Sequence, residues 1–386
     1  MKQLTVILGA GFSYNAGLPL GKDIQERFDR DLRNKFLNFP SGEWMWTDNK
    51  SEAEINNGTL SHKQYWYSYI FNEYLEEYKE INSGFIDYED FYHYVQLVTV
   101  NPEKNSEVFT IAKTKLFEEH PEFQGENMYS DIYELPDFEL PVTILNYLIW
   151  DLLHFSKGEN DLLKNYEPFI KFIEGFDKVD IFTLNHDLLV EYLLEKNGLE
   201  YTKGFSNDNS EIQHNNIPLS TYQGNYDKFK IRLYKMHGSV DCYRFEHLRQ
   251  DVASYTPTGN FSYYLPRGYR ARHMSVRVNP QTGEIVQDLC FDVVPKFITG
   301  IDKRKFIDND YMYVDLYKRF TSILAETDNL FISGYSFRDE HINEVLKNNK
   351  IPKIVNQNPY KKFPFDRKTQ NIRYLSDIAT IQKIYS

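Results

Sequence analysis

Short apolar runs that end in small or polar residues are the feature that most constrains how this chain can fold. The runs are nearly continuous rather than alternating, which is typical of strands that are buried on both faces of a parallel sheet. Helical patterns follow three of the runs, so that strands and helices alternate along the chain. We therefore predict an α/β fold in which a parallel sheet is flanked by helices. The predicted strands lie at residues 4–8, 179–183, 231–236, 329–333 and 354–355.

A long aromatic-rich segment separates the first predicted strand from the second. Its apolar residues recur at helical spacing, for example at residues 65–78 and 88–98. It lacks the Gly-, Ser- and Pro-rich tracts that mark linkers. We predict a large helical insertion or cap over residues 31–175. Its aromatic residues offer a surface for assembly, although aromatic side chains in helices more often belong to a core.

Two further segments lie outside the alternating pattern. Residues 204–225 are rich in Asn and Ser, which predicts a surface loop. Residues 242–310 carry Pro- and Gly-containing turn signals between short β-like runs, which predicts a β-rich excursion. We therefore expect a discontinuous sheet domain, formed by residues 1–30 and 176–386 around the insertion.

The charge balance and the cysteine content narrow the class of protein. Acidic residues outnumber basic ones, 56 against 44, which gives a formal net charge of −12. This field repels phosphates, so we expect no direct binding to nucleic acid and no association with a membrane. Cys242 and Cys290 are the only cysteines, too few for a four-cysteine zinc module or a disulfide framework. Because the first residues also lack a signal-peptide pattern, we expect a cytoplasmic protein.

A glycine-containing turn follows the first predicted strand. Two glycines at this place let the backbone turn sharply and approach a pyrophosphate. The dinucleotide fingerprint of dehydrogenases needs a third glycine where this chain has Tyr14, and no acidic residue marks a second strand about 20 residues later. The turn leaves open a nucleotide-binding role or an ordinary strand–helix connection. Its sequence is Gly9-Ala10-Gly11-Phe12-Ser13.

Polar residues also follow the second predicted strand. Asn185 and Asp187 bring a donor, an acceptor and a charge to one place. The alternative is a structural role, in which one of them caps the helix predicted at residues 188–196. His186 and Asp187 also resemble the metal-binding pair of phosphohydrolases, but we find no further His and Asp ligands of the kind that those sites need.

The third and fourth predicted strands end in further candidate residues. His237 precedes a glycine at the end of the third strand, and its ordinary pKa near 6.5 makes it a candidate general base. The alternative is a structural histidine. After the fourth strand, Gly334 and Ser336 could contact a phosphate or a ribose. Glu340 and His341 suggest a metal pair, but no partner ligands lie at suitable spacing.

In combination and in this order, the motifs resemble those of the sirtuin-like NAD-binding superfamily. The family's Gly-Ala-Gly-x-Ser, Gly-Ile-Pro, Thr-Gln-Asn-Ile-Asp, Leu-His-Gly, Gly-Tyr-Ser and late Ile-Asn each have a counterpart here. The resemblance covers most of the NAD-binding half and implies a Rossmann-like sheet, but it does not extend to the helical insertion or to the β-rich excursion. The counterparts are Gly9-Ala10-Gly11-Phe12-Ser13, Gly17-Leu18-Pro19, Thr183-Leu184-Asn185-His186-Asp187, Met236-His237-Gly238-Ser239, Gly334-Tyr335-Ser336 and Ile354-Val355-Asn356.

The resemblance implies a role for each of these motifs. Asn185 would hold the nicotinamide ribose and position a water, and Asp187 would bind the carboxamide of nicotinamide. His237 would act as general base on a ribose hydroxyl. The NAD phosphates would be lined by Gly9, Ala10, Gly11 and Ser13, and the adenosine half would be contacted by Gly334, Ser336 and Asn356.

Two departures from the family's protein deacylases bear on the function. Deacylases hold a zinc ion with four cysteines, and this chain has only two. They also carry Asp-Phe-Arg after Gly-Ile-Pro, where this chain reads Leu20-Gly21-Lys22-Asp23. With these departures the chain is more similar to the sirtuin-like NAD hydrolases of bacterial antiphage defence than to the deacylases. Those hydrolases lack the zinc module and carry helical insertions. The resemblance thus implies an NAD+ glycohydrolase that takes NAD+ as its substrate, needs no metal and yields ADP-ribose and nicotinamide.

An NAD hydrolase of this kind would deplete its own cell unless its activity were gated. Family members are activated by their own oligomerisation, by a HerA-type hexameric ATPase or by a short Argonaute. The resemblance therefore implies a homo-oligomer or one of these partners, in an abortive-infection response. Two alternatives stay open, an NAD-dependent protein deacylase and a non-catalytic sensor of NAD or ADP-ribose. The deacylase would yield O-acetyl-ADP-ribose from an acetylated peptide, and the sensor would bind without turnover.

Overall fold

The computed structural model of this chain contains a seven-stranded, fully parallel sheet with helices on both faces. The predicted α/β fold with a parallel sheet flanked by helices is therefore confirmed. The structure describes residues 2–38, 44–47, 62–84, 86–124, 140–153, 158–206, 212–214, 217–248, 257–266, 275–278, 285–291, 303–358, 361–365 and 368–378.

The chain divides into two compact units, which we call the sheet unit and the helical unit. Compared with the predicted domain boundaries, residues 19–30 fall in the helical unit and residues 155–175 fall in the sheet unit. The sheet unit comprises Met1–Leu18, Phe155–Ile298 and Lys303–Ser386, and the helical unit comprises Pro19–His154 and Thr299–Asp302.

The order of the strands places the first strand at the centre of the sheet. Across the sheet the strands are β15 (Thr369–Ile372), β14 (Lys353–Gln357), β13 (Asn329–Ser333), β1 (Gln3–Leu8), β4 (Lys178–Thr183), β8 (Ile231–Lys235) and β5 (Tyr201–Thr202). Strands β4, β8 and β5 lie on one side of β1, and the later strands β13, β14 and β15 lie on the other, so the direction of the sheet's growth reverses between β1 and β13. Ligands of open α/β sheets bind at the carboxyl ends of the strands beside such a reversal.

Helices cover both faces of this sheet, which explains why its central strands are largely apolar. On β1, Val6 and Leu8 enter one core and Ile7 enters the other, because successive side chains of a strand point to opposite faces. Numbered along the whole chain, the helices of the sheet unit are α1 (Ala10–Tyr14), α7 (Glu159–Glu174), α8 (Leu189–Lys196), α9 (Lys303–Asn309), α10 (Tyr311–Glu326) and α11 (Glu340–Asn348). Side chains of α7 and α8 fill the core of Val6, and side chains of α10 and α11 fill the core of Ile7.

Six antiparallel strands of the sheet unit close into a barrel. Four of them lie inside the segment 242–310, which was predicted to be β-rich. The other two lie inside residues 204–225, so the interpretation of that whole segment as a surface loop was wrong. Its two strands are only three and five residues long, and the surrounding Asn and Ser residues obscured their pattern. The strands are β6 (Ile212–His214), β7 (Ile217–Thr221), β9 (Tyr243–Leu248), β10 (Pro257–Pro266), β11 (Ser275–Val278) and β12 (Ile285–Phe291).

The helical unit has a core of its own, built largely from aromatic rings. Phe28 packs edge-to-face on Phe91, and Phe71 does the same on Phe36 and Tyr74, with all five rings buried. Four of these aromatic residues belong to the predicted insertion, and they are core residues. They are Phe36, Phe71, Tyr74 and Phe91. The elements of the helical unit are α2 (Gly21–Asp31), β2 (Phe36–Asn38), β3 (Trp44–Trp46), α3 (His62–Ile81), α4 (Tyr88–Thr99), α5 (Pro102–Glu119), a 3-10 helix (Pro121–Gln124) and α6 (Leu140–Leu152).

No helix in the described part of the chain is both long and apolar enough to cross a membrane.

Candidate functional site

The predicted site residues cluster at the carboxyl edge of the sheet unit. Thr183 pairs with Lys235 in the parallel ladder of β4 and β8. Asn185 and His237 each follow these paired residues by two positions, so they emerge side by side from neighbouring strands. The glycine turn leaves the adjacent strand β1 at the same edge.

Three glycines let the turn after β1 lie against the turn after β13. A Cβ added to Gly9 would lie 2.7 Å from the carbonyl oxygen of Gly334, and one added to Gly11 would lie 2.8 Å from its Cα. A Cβ on Gly334 would lie 2.0 Å from the amide nitrogen of Phe12. Real Cβ atoms do not approach backbone so closely, so the close contact of these two turns requires all three glycines.

The amide groups of the glycine turn are largely used within the protein. Gly9 N–H donates to the carbonyl of Ser333 at 3.0 Å, and Gly11 N–H donates to the carbonyl of Gly334 at 3.0 Å. Phe12 N–H donates to the carbonyl of Gly9 at 2.9 Å. These three donors therefore hold the turn in place rather than facing a phosphate. Ala10, between the two glycines, is exposed.

Asn185 connects the second motif to the glycine turn. Its side-chain NH2 donates to the carbonyl of Gly9 at 3.0 Å and to Oγ of Ser13 at 2.9 Å. Asn185 and Ser13 are both buried. Its backbone N–H donates to Oγ1 of Thr183 at 3.1 Å. Because both hydrogens of the amide are used, the orientation of the Asn185 side chain is fixed.

Asp187 contacts the start of helix α8, although the residue at the N-cap position of that helix is Leu188. Its Oδ1 accepts a hydrogen bond from the backbone N–H of Leu189 at 2.9 Å, at the first residue of α8. Burial raises the pKa of the Asp187 carboxyl, and the nearby Lys235 opposes that rise. The side chain is 5% exposed, so only a group that enters the site can reach it.

A network of buried charges that the sequence analysis missed lies beside Asp187. The Lys235 ammonium donates to the backbone carbonyl of Asp187 and lies 3.4 Å from Oε1 of Glu191. Lys203 lies 3.4 Å from the same oxygen and 2.6 Å from Asp241. A lysine within the apolar run at 231–236 is the one signal that could have revealed it, because a lysine is rarely buried unless it is paired.

His237 is buried in a cluster of polar rings. Its side chain is 4% exposed, its Nε2 lies 3.9 Å from Oδ1 of Asp339, and its ring centroid lies 5.6 Å from that of His341. Burial, reinforced by the charge of Lys303, holds the pKa of His237 well below its ordinary value. The ring is therefore neutral at pH 7 and keeps a lone pair that can accept a proton.

Burial has the same effect on His186, which belongs to the second motif, between Asn185 and Asp187. Its ring centroid is 6.4 Å from that of His237. Burial, with smaller contributions from Lys235 and Lys303, lowers the pKa of His186 to about 3. Two neutral imidazoles thus lie side by side at the edge of the sheet.

Asp339 also belongs to this cluster and was not predicted from the sequence, whereas His341 was considered as half of a metal pair. Oδ1 of Asp339 accepts a hydrogen bond from Nζ of Lys303 at 2.8 Å. The sequence showed His341 without partner ligands because its neighbour His237 comes from a distant part of the chain. Only the packing of the turn before α11 against the turn after β8 brings them together.

The residues predicted to contact adenosine are less closely grouped. Gly334 belongs to the glycine contact described above. Ser336 is exposed, and its carbonyl accepts a hydrogen bond from Nζ of Lys361 at 3.3 Å. Asn356 is fully buried, and its NH2 donates to the carbonyl of Lys361 at 3.0 Å and to Oδ1 of Asn371 at 3.1 Å. The side chain of Asn356 therefore connects Lys361 to Asn371.

A small cavity adjoins the buried charges. Its volume of about 20 Å³ accommodates a water molecule rather than a dinucleotide. Its lining includes Lys203, Tyr222, Lys235, Ser239, Asp241 and Cys242.

No model of a protein family matches the chain, and no curated protein matches it.

Proposed function

We propose that this protein is an NAD+ hydrolase that cleaves the nicotinamide–ribose bond and releases ADP-ribose and nicotinamide. One observation carries the proposal. Asn185 and His237 follow register-paired residues of β4 and β8, at the carboxyl edge of a parallel sheet and next to the turn at its topological reversal. Ligands of α/β folds bind at this place, and an amide and a neutral imidazole suit a hydrolysis that needs no redox group.

The chemistry requires stabilisation of positive charge on the ribose. Water adds to the anomeric carbon while the bond to nicotinamide breaks, and the bonding electron pair goes to the ring nitrogen, which becomes neutral. The proton of the attacking water goes to a base and then to solvent. His237 supplies the base, because its buried ring is neutral at pH 7.

Asn185 is the residue that we propose positions the water. Its NH2 group is occupied by Gly9 and Ser13, so its Oδ1 is the atom available to a water or a ribose hydroxyl. A fixed acceptor of this kind lowers the entropic cost of bringing a water to the anomeric carbon. The carboxamide of nicotinamide would meet Asp187, whose carboxyl oxygens can accept a hydrogen bond from the carboxamide NH2.

The test is product analysis of the purified chain with NAD+, alone and with a HerA-type ATPase or a short Argonaute encoded beside it. We expect Asn185→Ala and His237→Ala to lower the release of nicotinamide by at least about a hundredfold. Matched controls are Asn197→Ala, which removes a side-chain hydrogen bond to the carbonyl of Leu193, and His120→Ala in the helical unit. Circular dichroism checks that each variant folds. Full turnover in both site variants would overturn the proposal.

The second candidate is a sensor that binds NAD or ADP-ribose without turnover. The low pKa of His237 favours it, because such an imidazole is a weak base. Calorimetric titration with NAD+ and with ADP-ribose separates the two functions. Tight binding with no product, whichever partner is added, would support the sensor, and release of nicotinamide would exclude it. O-acetyl-ADP-ribose from an acetylated peptide would instead identify a deacylase.

A further inference from the structure

We infer that His237, Asp339 and His341 form a binding site for a divalent transition-metal ion of the zinc class. One ligand atom of each residue lies within 4.8 Å of the ligand atoms of the other two. Two imidazole nitrogens and one carboxylate oxygen are a set that zinc takes when three protein ligands leave the fourth position open.

The burial of His237 supports a ligand at this place. The residue is 3% exposed, and its Nε2 makes no hydrogen bond with any residue in the described part of the chain. A buried polar atom without a partner costs free energy, and native proteins rarely keep one without a bound water or ion. A metal ion would use the lone pair of this nitrogen.

The backbone around the other two ligands is held in place. The hydroxyl of Tyr335 donates to the backbone carbonyl of Asp339 at 3.2 Å, and the hydroxyl of Tyr317 donates to that of His341 at 3.2 Å. Asp339 immediately precedes α11 and His341 lies in its first turn. Ligands on supported elements of this kind need little reorganisation to bind an ion.

The three groups must still draw together to bind a metal. Zinc lies about 2.1 Å from each ligand, which sets neighbouring ligand atoms about 3.4 Å apart in a tetrahedral site. Nε2 of His237 and Oδ1 of Asp339 are 3.9 Å apart, and every pair is within 4.8 Å. The required movement is therefore about 1 Å, within the range of a side-chain rotation.

Lys303 is the competitor of the metal ion. Its ammonium lies 2.8 Å from Oδ1 of Asp339 and both side chains are 12% exposed, so the lysine neutralises the carboxylate in the metal-free protein. A metal ion must displace this charge or share the carboxylate with it. Removal of the ammonium, as in Lys303→Met, should therefore tighten metal binding at least tenfold.

Occupation of this site would inhibit the proposed hydrolysis, because a metal bound to His237 takes the lone pair that accepts the proton. This consequence depends on the proposed function, whereas the binding of the metal does not. A divalent ion bound at this site would thus act as an inhibitor of the proposed hydrolysis.

The test is titration of the chelator-treated full-length chain with Co²⁺, followed by its visible ligand-field absorption. We expect one Co²⁺ per chain, displaced by Zn²⁺, with loss of the bands in His341→Ala and tighter binding in Lys303→Met. His120→Ala is the matched control, because His120 contacts Glu122 in the helical unit.

Two results would overturn the inference. One is the absence of the Co²⁺ bands in both the unaltered chain and Lys303→Met. Because Lys303→Met keeps all three ligands, this result is decisive even if His341→Ala does not fold. The other is bands that persist in a folded His341→Ala. Neither result depends on NAD turnover, so failure of the metal site and failure of the proposed hydrolase are told apart.

Discussion

At Gly334 the backbone has a φ of +64°, and an added Cβ would lie 2.0 Å from the amide nitrogen of Phe12. Gly198 has a φ of +66°, but an added Cβ would meet nothing within 4 Å. An alanine held in the left-handed conformation at either position costs about 1–2 kcal/mol. At Gly334 the new Cβ would in addition clash with the backbone. We expect Gly334→Ala to lower the free energy of unfolding by about 3 kcal/mol or more, and Gly198→Ala by about 1 kcal/mol.

The comparison of these two variants isolates the contact between the turns after β1 and β13. Urea unfolding followed by far-ultraviolet circular dichroism measures both losses. Equal losses in the two variants would mean that the two turns can separate at no cost, and would contradict the packing role of Gly334.

The central strands could be predicted from the sequence because helices cover both of their faces. The runs at 4–8, 179–183, 231–236 and 329–333 match β1, β4, β8 and β13 to within one residue at each end. The edge strands could not be predicted in this way. β5 has two residues, and β15 has the sequence Thr-Gln-Asn-Ile, so neither offers an apolar run. Edge strands are half covered, and their polar residues remove the signal.

The candidate site was predictable in its location but not in its contacts. The strand ends placed Asn185 and His237 at one edge, because parallel strands end together. The hydrogen bonds of Asn185 to Gly9 and Ser13 and the approach of His341 to His237 depend on how separate turns pack. No spacing in the sequence encodes these contacts, which join residues more than a hundred positions apart.

Helix α2 ends at a buried carboxylate, Asp31, that holds three cations. Arg27 and Lys35 each lie 3.0 Å from its oxygens and Arg30 lies 2.6 Å away. The hydrogen bond from Arg30 and the charges of its neighbours lower the pKa of Asp31 to about 2, although burial opposes this. A lowered pKa means that the stabilisation is complete above the unfolded value near 4 and is lost as the pH falls toward 2.

We therefore expect Asp31→Asn to lower the free energy of unfolding of the helical unit by about 2 kcal/mol at pH 7, and by progressively less between pH 4 and pH 2. Tryptophan fluorescence during urea unfolding measures it, since all four tryptophans belong to this unit. Asp29→Asn is the control, because Asp29 forms an exposed pair with Lys79 that contributes at most about 1 kcal/mol. Equal losses at pH 7 would contradict the role of Asp31.

The stability of the whole molecule should fall as the pH drops below about 6.5, and His186 accounts for part of this slope. Burial, with the charges of Lys235 and Lys303, lowers its pKa to about 3, so between these pH values the unfolded chain binds a proton that the folded chain does not. Each such proton changes the free energy of unfolding by about 1.4 kcal/mol per pH unit. We expect urea unfolding of His186→Asn at pH 4–6 to show a slope smaller by about this amount. His237 adds a slope of the same sign and is present in both the unaltered chain and His186→Asn. Equal slopes of unfolding free energy against pH in the unaltered chain and in His186→Asn would mean that the His186 imidazole takes up a proton in the folded protein. The description of His186 and His237 as two neutral rings at the edge of the sheet would then be wrong.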